Sequence, residues 1–144
     1  MRVLIDADGC PVVDVALRVA RKAGIESHIF CDTSHVFEKS GAVTHVVPKG
    51  ADSADFALVN FILKGDVVIT QDYGLASMAL SRGAVCINQD GHEYTNENID
   101  ALLLARHTAK KIRNAGGRLK GPPKREKKSD IAFERTLENN LNSC

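Results

Sequence analysis

The chain has 144 residues, of which 44% are hydrophobic and 26% charged, with a formal net charge of +1. This balance is typical of a globular domain with a single core. No apolar run approaches the roughly 18 residues of a membrane span and no cleavable leader precedes the first strand pattern, so we expect a cytoplasmic domain with no membrane partner.

Apolar runs that suit β-strands alternate with helical stripes along most of the chain. Strands are predicted at 3–6, 28–31, 43–47, 66–70 and 84–87. Three stripes with helical spacing lie between them: Val13, Ala16, Leu17 and Ala20; Phe56, Val59 and Leu63; and Leu75, Met78 and Ala79. Such alternation predicts an α/β fold with a mostly parallel five-stranded sheet and helices on both faces. The strand order expected for this doubly wound sheet is 3-2-1-4-5. Residues 32–42 are expected to form a short helix or loop.

The last third of the chain predicts a turn, two helices and a linker. A turn at 88–91 precedes a helix that begins near Thr95 and carries Ile99, Leu102, Leu103 and Ile112. Glycines at 116 and 117 end that helix, and 121–128 is expected to be mobile or extended. A last helix carries Phe133, Leu137 and Leu141 on one stripe. We therefore expect an α/β domain at 1–114, and a basic linker with a C-terminal helix that packs on it at 115–144.

The four cysteines are Cys10, Cys31, Cys86 and Cys144; they are far apart and form no C-x-x-C pair. We expect reduced thiols and no zinc site. For Cys10, beside an acidic turn, a packing role is more common than that of a nucleophile.

Carboxylates follow several of the predicted strands. Asp6 and Asp8 end the first strand pattern, and Thr70 and Asp72 end the fourth. Because these two strands are neighbours in the expected order, their side chains should converge at the carboxyl edge of the sheet. Asp52 and Asp55, which follow the third strand, are expected at the same edge. Several carboxylates in one cleft repel one another, which predicts a bound Mg²⁺ or Mn²⁺.

Each acid also has a structural alternative. Asp8 could cap the helix that begins near Pro11, and Asp52 and Asp72 precede helical patterns where aspartate is a favoured N-cap. Asp55 lies in a first turn, where the helix dipole favours a negative charge. Thr70 could be an ordinary β-branched strand residue.

Basic residues are concentrated in one segment. Between 106 and 128 the chain has ten Lys and Arg residues against one Glu, a net charge of +9, whereas residues 1–105 carry −6. Clustered Lys and Arg neutralise phosphates, so this segment predicts a nucleic-acid partner; a solvated helix face with a basic tail is the alternative. The residues expected to contact nucleic acid are Arg106, Lys110, Lys111, Arg113, Arg118 and Lys120.

Four stretches resemble the YaiI/YqxD family of bacterial proteins: Asp-Ala-Asp-Gly-Cys-Pro at 6–11, Gly-Ala-Asp-Ser-Ala-Asp at 50–55, Gly-Asp-Val-Val-Ile-Thr-Gln-Asp at 65–72, and the tail 106–123. That family in turn resembles the PIN-like nucleases. Their pattern of a first-strand Asp, a mid-chain acid and a Thr-x-Asp is matched by Asp6, Asp55, Thr70 and Asp72. The resemblance implies a three-layer α/β/α PIN-like fold and metal-dependent phosphodiester cleavage, with RNA as the expected substrate.

One departure from the PIN-like pattern concerns the acids. Many PIN-like nucleases carry a further acid soon after the Thr-x-Asp, whereas Tyr73, Gly74 and Leu75 follow here. Asp8 or Asp52 would then complete the site. In the mechanism that this predicts, the acids hold one or two metal ions that activate water, Thr70 orients water or phosphate, and the basic residues position the backbone.

Two rival interpretations stay open. Asp6 and Asp8 also match the Asp-x-Asp start of haloacid-dehalogenase-type phosphatases, in which Thr33 or Ser34, Lys49 and Asp72 would fill the remaining roles. Alternatively, the chain is a non-catalytic nucleic-acid-binding module that uses the basic segment alone. A homo-oligomer is compatible with either interpretation.

Overall fold

The computed structural model describes residues 1–34, 39–50, 53–114, 116 and 125–142, without the side chains of 106, 109, 113 and 114. In chain order its elements are β1 (Val3–Asp6), α1 (Val13–Ala23), β2 (Ser27–Asp32), β3 (Val43–Val47), α2 (Ser53–Phe61), β4 (Val67–Ile69), α3 (Tyr73–Ser81), β5 (Val85–Ile87), β6 (Glu93–Tyr94), α4 (Asn96–Asn114) and α5 (Lys127–Asn142).

The strands form one sheet in the order β3-β2-β1-β4-β5-β6. The first five are parallel to their neighbours, and β6 pairs antiparallel with β5. The predicted α/β fold and the order 3-2-1-4-5 are confirmed. The sixth strand was not predicted, because two residues are too few to show an alternating pattern.

Alternate residues of the central strands face opposite layers of helices. Val3 and Ile5 belong to a core cluster with α1 and α5. Leu4 belongs to a second cluster on the other face, with α2, α3 and α4. Strands that are buried on both faces explain the continuous apolar runs in the sequence. The result is a three-layer α/β/α arrangement.

The stripe predicted for α2 is wrong at two of its three positions. Val59 is buried, but Phe56 is 57% exposed and Leu63 is 63% exposed; the helix buries Leu58 and Val59 instead. Apolar residues cover nearly the whole circumference of this helix, so the sequence period does not select one face. Leu63 also lies beyond the helix end at Phe61. Met78, predicted to be on the buried stripe of α3, is exposed as well.

Strand boundaries differ from the prediction by one residue at several ends. Strand β4 contains only Val67–Ile69, with Asp66 and Thr70 just outside it. Before the strand, the buried Asp66 carboxylate accepts from Arg2, whose Nη2 lies 2.7 Å from Oδ2. Strand β2 extends to Asp32, into the segment predicted as a helix or loop, of which 35–38 lie outside the described residues.

The C-terminal helix packs against α1, with Phe133, Leu137 and Leu141 buried as predicted. The predicted basic linker lies within 115–144, and of its residues 115–124 the structure describes only Gly116. The basic run at 124–128 is not all extended, because α5 begins at Lys127. Before it, Arg125 Nη1 lies 2.8 Å from Asp90 Oδ1 and its Nη2 donates to the Gln89 carbonyl, which ties the chain to the turn after β5.

None of the helices described here is long and apolar enough to cross a membrane.

The sheet register brings the two predicted strand ends together. Ile5 of β1 pairs with Ile69 of β4, so Asp6 and Thr70 follow side by side at the carboxyl edge. The chain turns to opposite sides after these strands, because β1 leads through α1 to β2 and β4 leads through α3 to β5. Such a switch point leaves a crevice between adjacent loops, where ligands bind in open α/β sheets.

Candidate functional site

Asp6 is anchored at the end of β1 by a hydrogen bond from the neighbouring strand. The Thr70 hydroxyl donates to Asp6 Oδ2 over 2.8 Å, and its oxygen in turn accepts from the Asp72 backbone N–H over 3.0 Å. Both Asp6 and Thr70 are buried, with exposed fractions of 9% and 1%. The chain fold therefore holds the Asp6 carboxyl in one orientation at the floor of the crevice.

Asp72 has two roles in the structure. It is the N-cap of α3, and its Oδ1 accepts from the Leu75 backbone N–H over 3.1 Å. The same residue also lines the crevice beside Asp6. The capping alternative considered for Asp72 is therefore correct, and it does not exclude a place in the site. Beside it, Gln71 donates through Nε2 to the Gly9 carbonyl over 2.7 Å, which joins the loops after β4 and β1.

The crevice is an open, mainly acidic cleft of about 460 Å³. Five of the residues that line it are aspartates: two end strands, one lies in the loop after β1, and two lie at the starts of helices. They are Asp6, Asp8, Asp32, Asp55 and Asp72. The remaining lining residues are Cys31, Gly50, Ser53, Ala54, Gln71 and Tyr73. We use the name acidic cleft for this set.

The electrostatics of the acidic cleft are most marked at Asp6. Burial raises the pKa of its carboxyl from 3.8 to about 6, and the charges of Asp72 and Asp8 add to the rise. The hydrogen bond from Thr70 and one from the Asp8 backbone lower it. A cation in the cleft would favour the ionised form, as would any substitution that removes a neighbouring carboxylate.

All four of the described acids that the sequence predicted line this cleft. Asp8 is exposed and lines it, and Asp55, in the first turn of α2, also lines it. The alternative role of Asp8 as a helix cap is not found, since the N-cap of α1 is Val12 and no side chain caps it. Asp52 lies outside the described residues. Thr70 is buried and is not among the residues that line the cleft; its hydroxyl contacts Asp6.

Asp32 is a cleft residue that the sequence analysis missed. It ends β2, and its Oδ1 accepts from the Ser34 backbone N–H over 2.8 Å and from the Ser34 hydroxyl over 2.7 Å. The signal was present, because an acid directly after a central parallel strand is placed at the ligand-binding edge. The sequence pattern does not place it there, because the predicted strand ends at Cys31.

The donor set of the cleft suits a hard, hydrated cation. Among the described residues, no three His, Cys, Asp or Glu side chains are gathered as a ready metal site. Mg²⁺ commonly takes only one or two carboxylates and keeps several of its waters, so a closed protein cage is not required. The oxygen donors of Asp6, Asp8 and Asp72 fit that mode of binding.

The thiol next to the cleft does not fit a nucleophile. Cys10 is partly buried, and burial together with the nearby Asp6 raises the pKa of its thiol to about 11. At neutral pH it therefore stays protonated and unreactive. The packing role is favoured, since Cys10 contacts the core on the α1 side. The three cysteines in the described part of the chain are free thiols.

The basic residues expected to contact nucleic acid are only partly described. Lys110 and Lys111 are exposed on α4. The side chains of Arg106 and Arg113, and all of Arg118 and Lys120, lie outside the described structure. Their relation to the cleft stays a prediction.

Comparison with known proteins confirms the family resemblance. A model described as "Uncharacterized BCR, YaiI/YqxD family" matches residues 4–143. A UPF0178 protein of Exiguobacterium sibiricum is 51% identical over 137 residues, which are 95% of this chain and 94% of that protein. A UPF0178 protein of Clostridium acetobutylicum is 46% identical over 136 residues, 93% of this chain and 92% of the relative. These names state no activity, and kinship with PIN-like nucleases stays a prediction.

Proposed function

The chain belongs to the YaiI/YqxD family, and from that premise we propose that it is a divalent-metal-dependent nuclease that hydrolyses phosphodiester bonds, with RNA as its substrate. A cytoplasmic location is part of the proposal. The observation that carries it is the acidic cleft, in which a buried, oriented Asp6 carboxyl faces a cavity lined by four further aspartates.

Charge is the first reason for a metal. A cleft lined by Asp6, Asp8, Asp32, Asp55 and Asp72 would repel a phosphodiester, which is itself an anion. A divalent cation in the cleft would turn this repulsion into attraction, since it attracts both the carboxylates and the phosphate oxygens. Asp6, Asp8 and Asp72 are the residues proposed to hold it. When bound, such an ion supplies a water nucleophile of lowered pKa and stabilises charge on the phosphate.

Thr70 is proposed as a positioning residue. Its hydroxyl hydrogen is directed at Asp6 Oδ2, and it is buried away from the cleft surface. It therefore acts on the reaction through the orientation and ionisation of Asp6, and not by direct contact with water or phosphate as the sequence suggested. Partners of this kind matter, because losing one typically lowers metal affinity or activity about 10- to 100-fold.

The basic segment is proposed to bind the nucleic-acid backbone. Lys110 and Lys111 present exposed ammonium groups, and the other members of the set extend the same charge along the chain. Contacts of this kind are independent of sequence and weaken as the salt concentration rises, because the release of counterions then contributes less free energy. The substrate would thus be held by its phosphates while one of them enters the acidic cleft.

Cleavage of single-stranded and duplex RNA and DNA by purified protein, with Mg²⁺, Mn²⁺ or EDTA, tests the proposal. Asp6→Asn keeps an acceptor for Thr70, and Asp72→Asn keeps a good helix cap, so neither should unfold the protein. We expect both to lose more activity than the roughly 10- to 100-fold loss of an outer-shell partner. Asp100→Asn, an exposed acid on α4 outside the cleft, is the matched control.

The result that would overturn the nuclease proposal is equal cleavage by the wild type and by both cleft variants. That pattern would indicate a contaminating enzyme. Activity that persists undiminished in EDTA would overturn the requirement for a metal.

One observation favours a second candidate function, a nucleic-acid-binding protein without catalysis. Lys110 and Lys111 are exposed on α4 and need no metal to contact phosphates. Binding of RNA that survives both Asp6→Asn and Asp72→Asn, with no cleavage in Mg²⁺ or Mn²⁺, would support this candidate against the nuclease.

The phosphatase interpretation has less support. Only residues 7–12 separate β1 from α1, which leaves little room for the hairpin that such enzymes carry after the first strand. Release of phosphate from small phosphoesters in the same assays, without loss of nucleic-acid length, would revive it.

A further inference from the structure

Tyr73 is the one aromatic residue among the described residues that line the acidic cleft. It follows Asp72 directly, as the first residue of α3, and is partly exposed. The other described lining residues are acidic, small or amide-bearing. Tyr73 therefore brings an aromatic residue to the cleft in which the proposed function places the scissile phosphate.

A second tyrosine holds this ring in place. The Tyr73 and Tyr94 rings meet edge to face, with centroids 5.9 Å apart and planes at 67°. Tyr94 is buried, and its hydroxyl donates to the Thr70 carbonyl over 3.2 Å. Tyr73 is thus fixed relative to the strand end that positions Asp6. Because the contact is edge to face, Tyr94 covers at most one face of the Tyr73 ring.

A fixed and partly exposed ring beside a phosphate site has a well-defined use in nucleic-acid proteins. Bases stack on such rings irrespective of sequence, since every base has a π-face. In a duplex both faces of each base are covered by neighbours, whereas an unpaired base can swing out and stack on a side chain. A ring held in advance loses little conformational entropy on binding.

We propose that Tyr73 stacks on the unpaired base next to the phosphate in the acidic cleft, which makes single-stranded nucleic acid the substrate class. This inference rests on the proposed nuclease function. Tyr73 is then a specificity-determining residue, and its contribution depends on the strandedness of the substrate and on the presence of one particular base.

The test compares the wild type with Tyr73→Leu, Tyr73→Phe and Phe56→Leu, which removes an exposed ring that does not line the cleft. Substrates are a single strand, its duplex, and single strands with one abasic nucleotide placed at each position in turn. We expect Tyr73→Leu to lower kcat/KM on the single strand on the order of 5- to 150-fold, and the duplex to be a poor substrate throughout. Tyr73→Phe should retain the wild-type kcat/KM. An abasic nucleotide at one particular position should lower the kcat/KM of the wild type by the same factor, but should not lower that of Tyr73→Leu any further.

The outcomes separate this inference from the nuclease proposal. If the wild type cleaves but Tyr73→Leu cleaves the single strand equally well, or the duplex is cut as fast, stacking is overturned and the nuclease stands. If the wild type does not cleave, the nuclease is overturned, and quenching of a 2-aminopurine base in the single strand decides the inference. Quenching by the wild type that Tyr73→Leu loses would support stacking, and its absence or persistence would overturn it.

Discussion

Replacing Asp6 with asparagine in the metal-free protein is expected to stabilise the fold at neutral pH. Burial, with added repulsion from Asp72 and Asp8, raises the pKa of the carboxyl from 3.8 to about 6. Since one pKa unit corresponds to ~1.4 kcal/mol, ionisation of Asp6 costs the folded state about 3 kcal/mol. Asparagine keeps an oxygen that can accept from Thr70 and carries no charge at any pH.

The dependence on pH follows from the direction of the shift. Because the folded state holds this proton more tightly than the unfolded state, the stabilisation from Asp6 is fully present below pH 3.8 and is lost as the pH rises through about 6. The variant has no such loss. Its advantage in unfolding free energy should grow from near zero at low pH to its full value at neutral pH.

Urea-induced unfolding of both proteins, measured at each pH in the presence of EDTA, gives this difference directly. Comparison at equal pH cancels the titration of carboxylates that the two proteins share. The melting temperature at neutral pH should rise by roughly 6–12 °C for a difference of about 3 kcal/mol. Asp100→Asn, on the exposed surface of α4, is the control that removes a carboxylate from outside the cleft.

A difference that does not vary with pH, or a variant less stable than the wild type at neutral pH, would refute the assignment of a costly buried charge to Asp6. Added Mg²⁺ gives a further check. At about ten times its Kd it should stabilise the wild type by about 1.4 kcal/mol, and the variant by much less.

Three other substitutions test separate contacts. Thr70→Val removes a charge-assisted hydrogen bond, so it should lower stability at neutral pH by about 1.5–3 kcal/mol, whereas Thr70→Ser should restore it; urea unfolding measures both. Arg2→Ala leaves the buried Asp66 carboxylate without its guanidinium partner and should cost about 3–5 kcal/mol in the same assay, a loss that Asp66→Asn in the same chain should partly relieve. Gly91→Ala places a Cβ 2.6 Å from a backbone carbonyl oxygen of α5, at a φ of +84°. It should lower the melting temperature much more than Gly24→Ala does, because Gly24 has a similar φ of +71° but a Cβ there meets nothing within 4 Å. An equal decrease in melting temperature for the two variants would show that α5 can shift away from this turn at little cost.

Much of the fold was predictable because strands and helices differ in period and in apolar content. The runs at 3–6 and 66–70 predicted buried strands, and the alternation with helices predicted that these strands are parallel. The phase of α2 was not predictable. With apolar residues nearly all round, only its position over the sheet decides that Leu58 is buried and Phe56 exposed.

The candidate site was predictable to the extent that it consists of strand ends. Asp6 and Asp72 follow from position alone, since adjacent parallel strands end at one edge. Asp32 was not predicted as a cleft residue, because an error of one residue at the end of β2 separates this acid from the strand end. The hydrogen bond from Thr70 to Asp6 was not predictable for another reason: the two residues are 64 positions apart in the chain and meet only because their strands are neighbours.

The sequence by itself determined that this is an α/β domain, with carboxylates at the ends of its central strands and a basic segment near its C-terminus. Those properties are local, because they depend on period, composition and the residue that follows each apolar run. Only the tertiary structure decided that Asp6 is buried with a raised pKa, and that Asp32 and Tyr73 line the same cleft. Burial and charge proximity depend on which distant segments pack together, and that information lies in no single stretch of the chain.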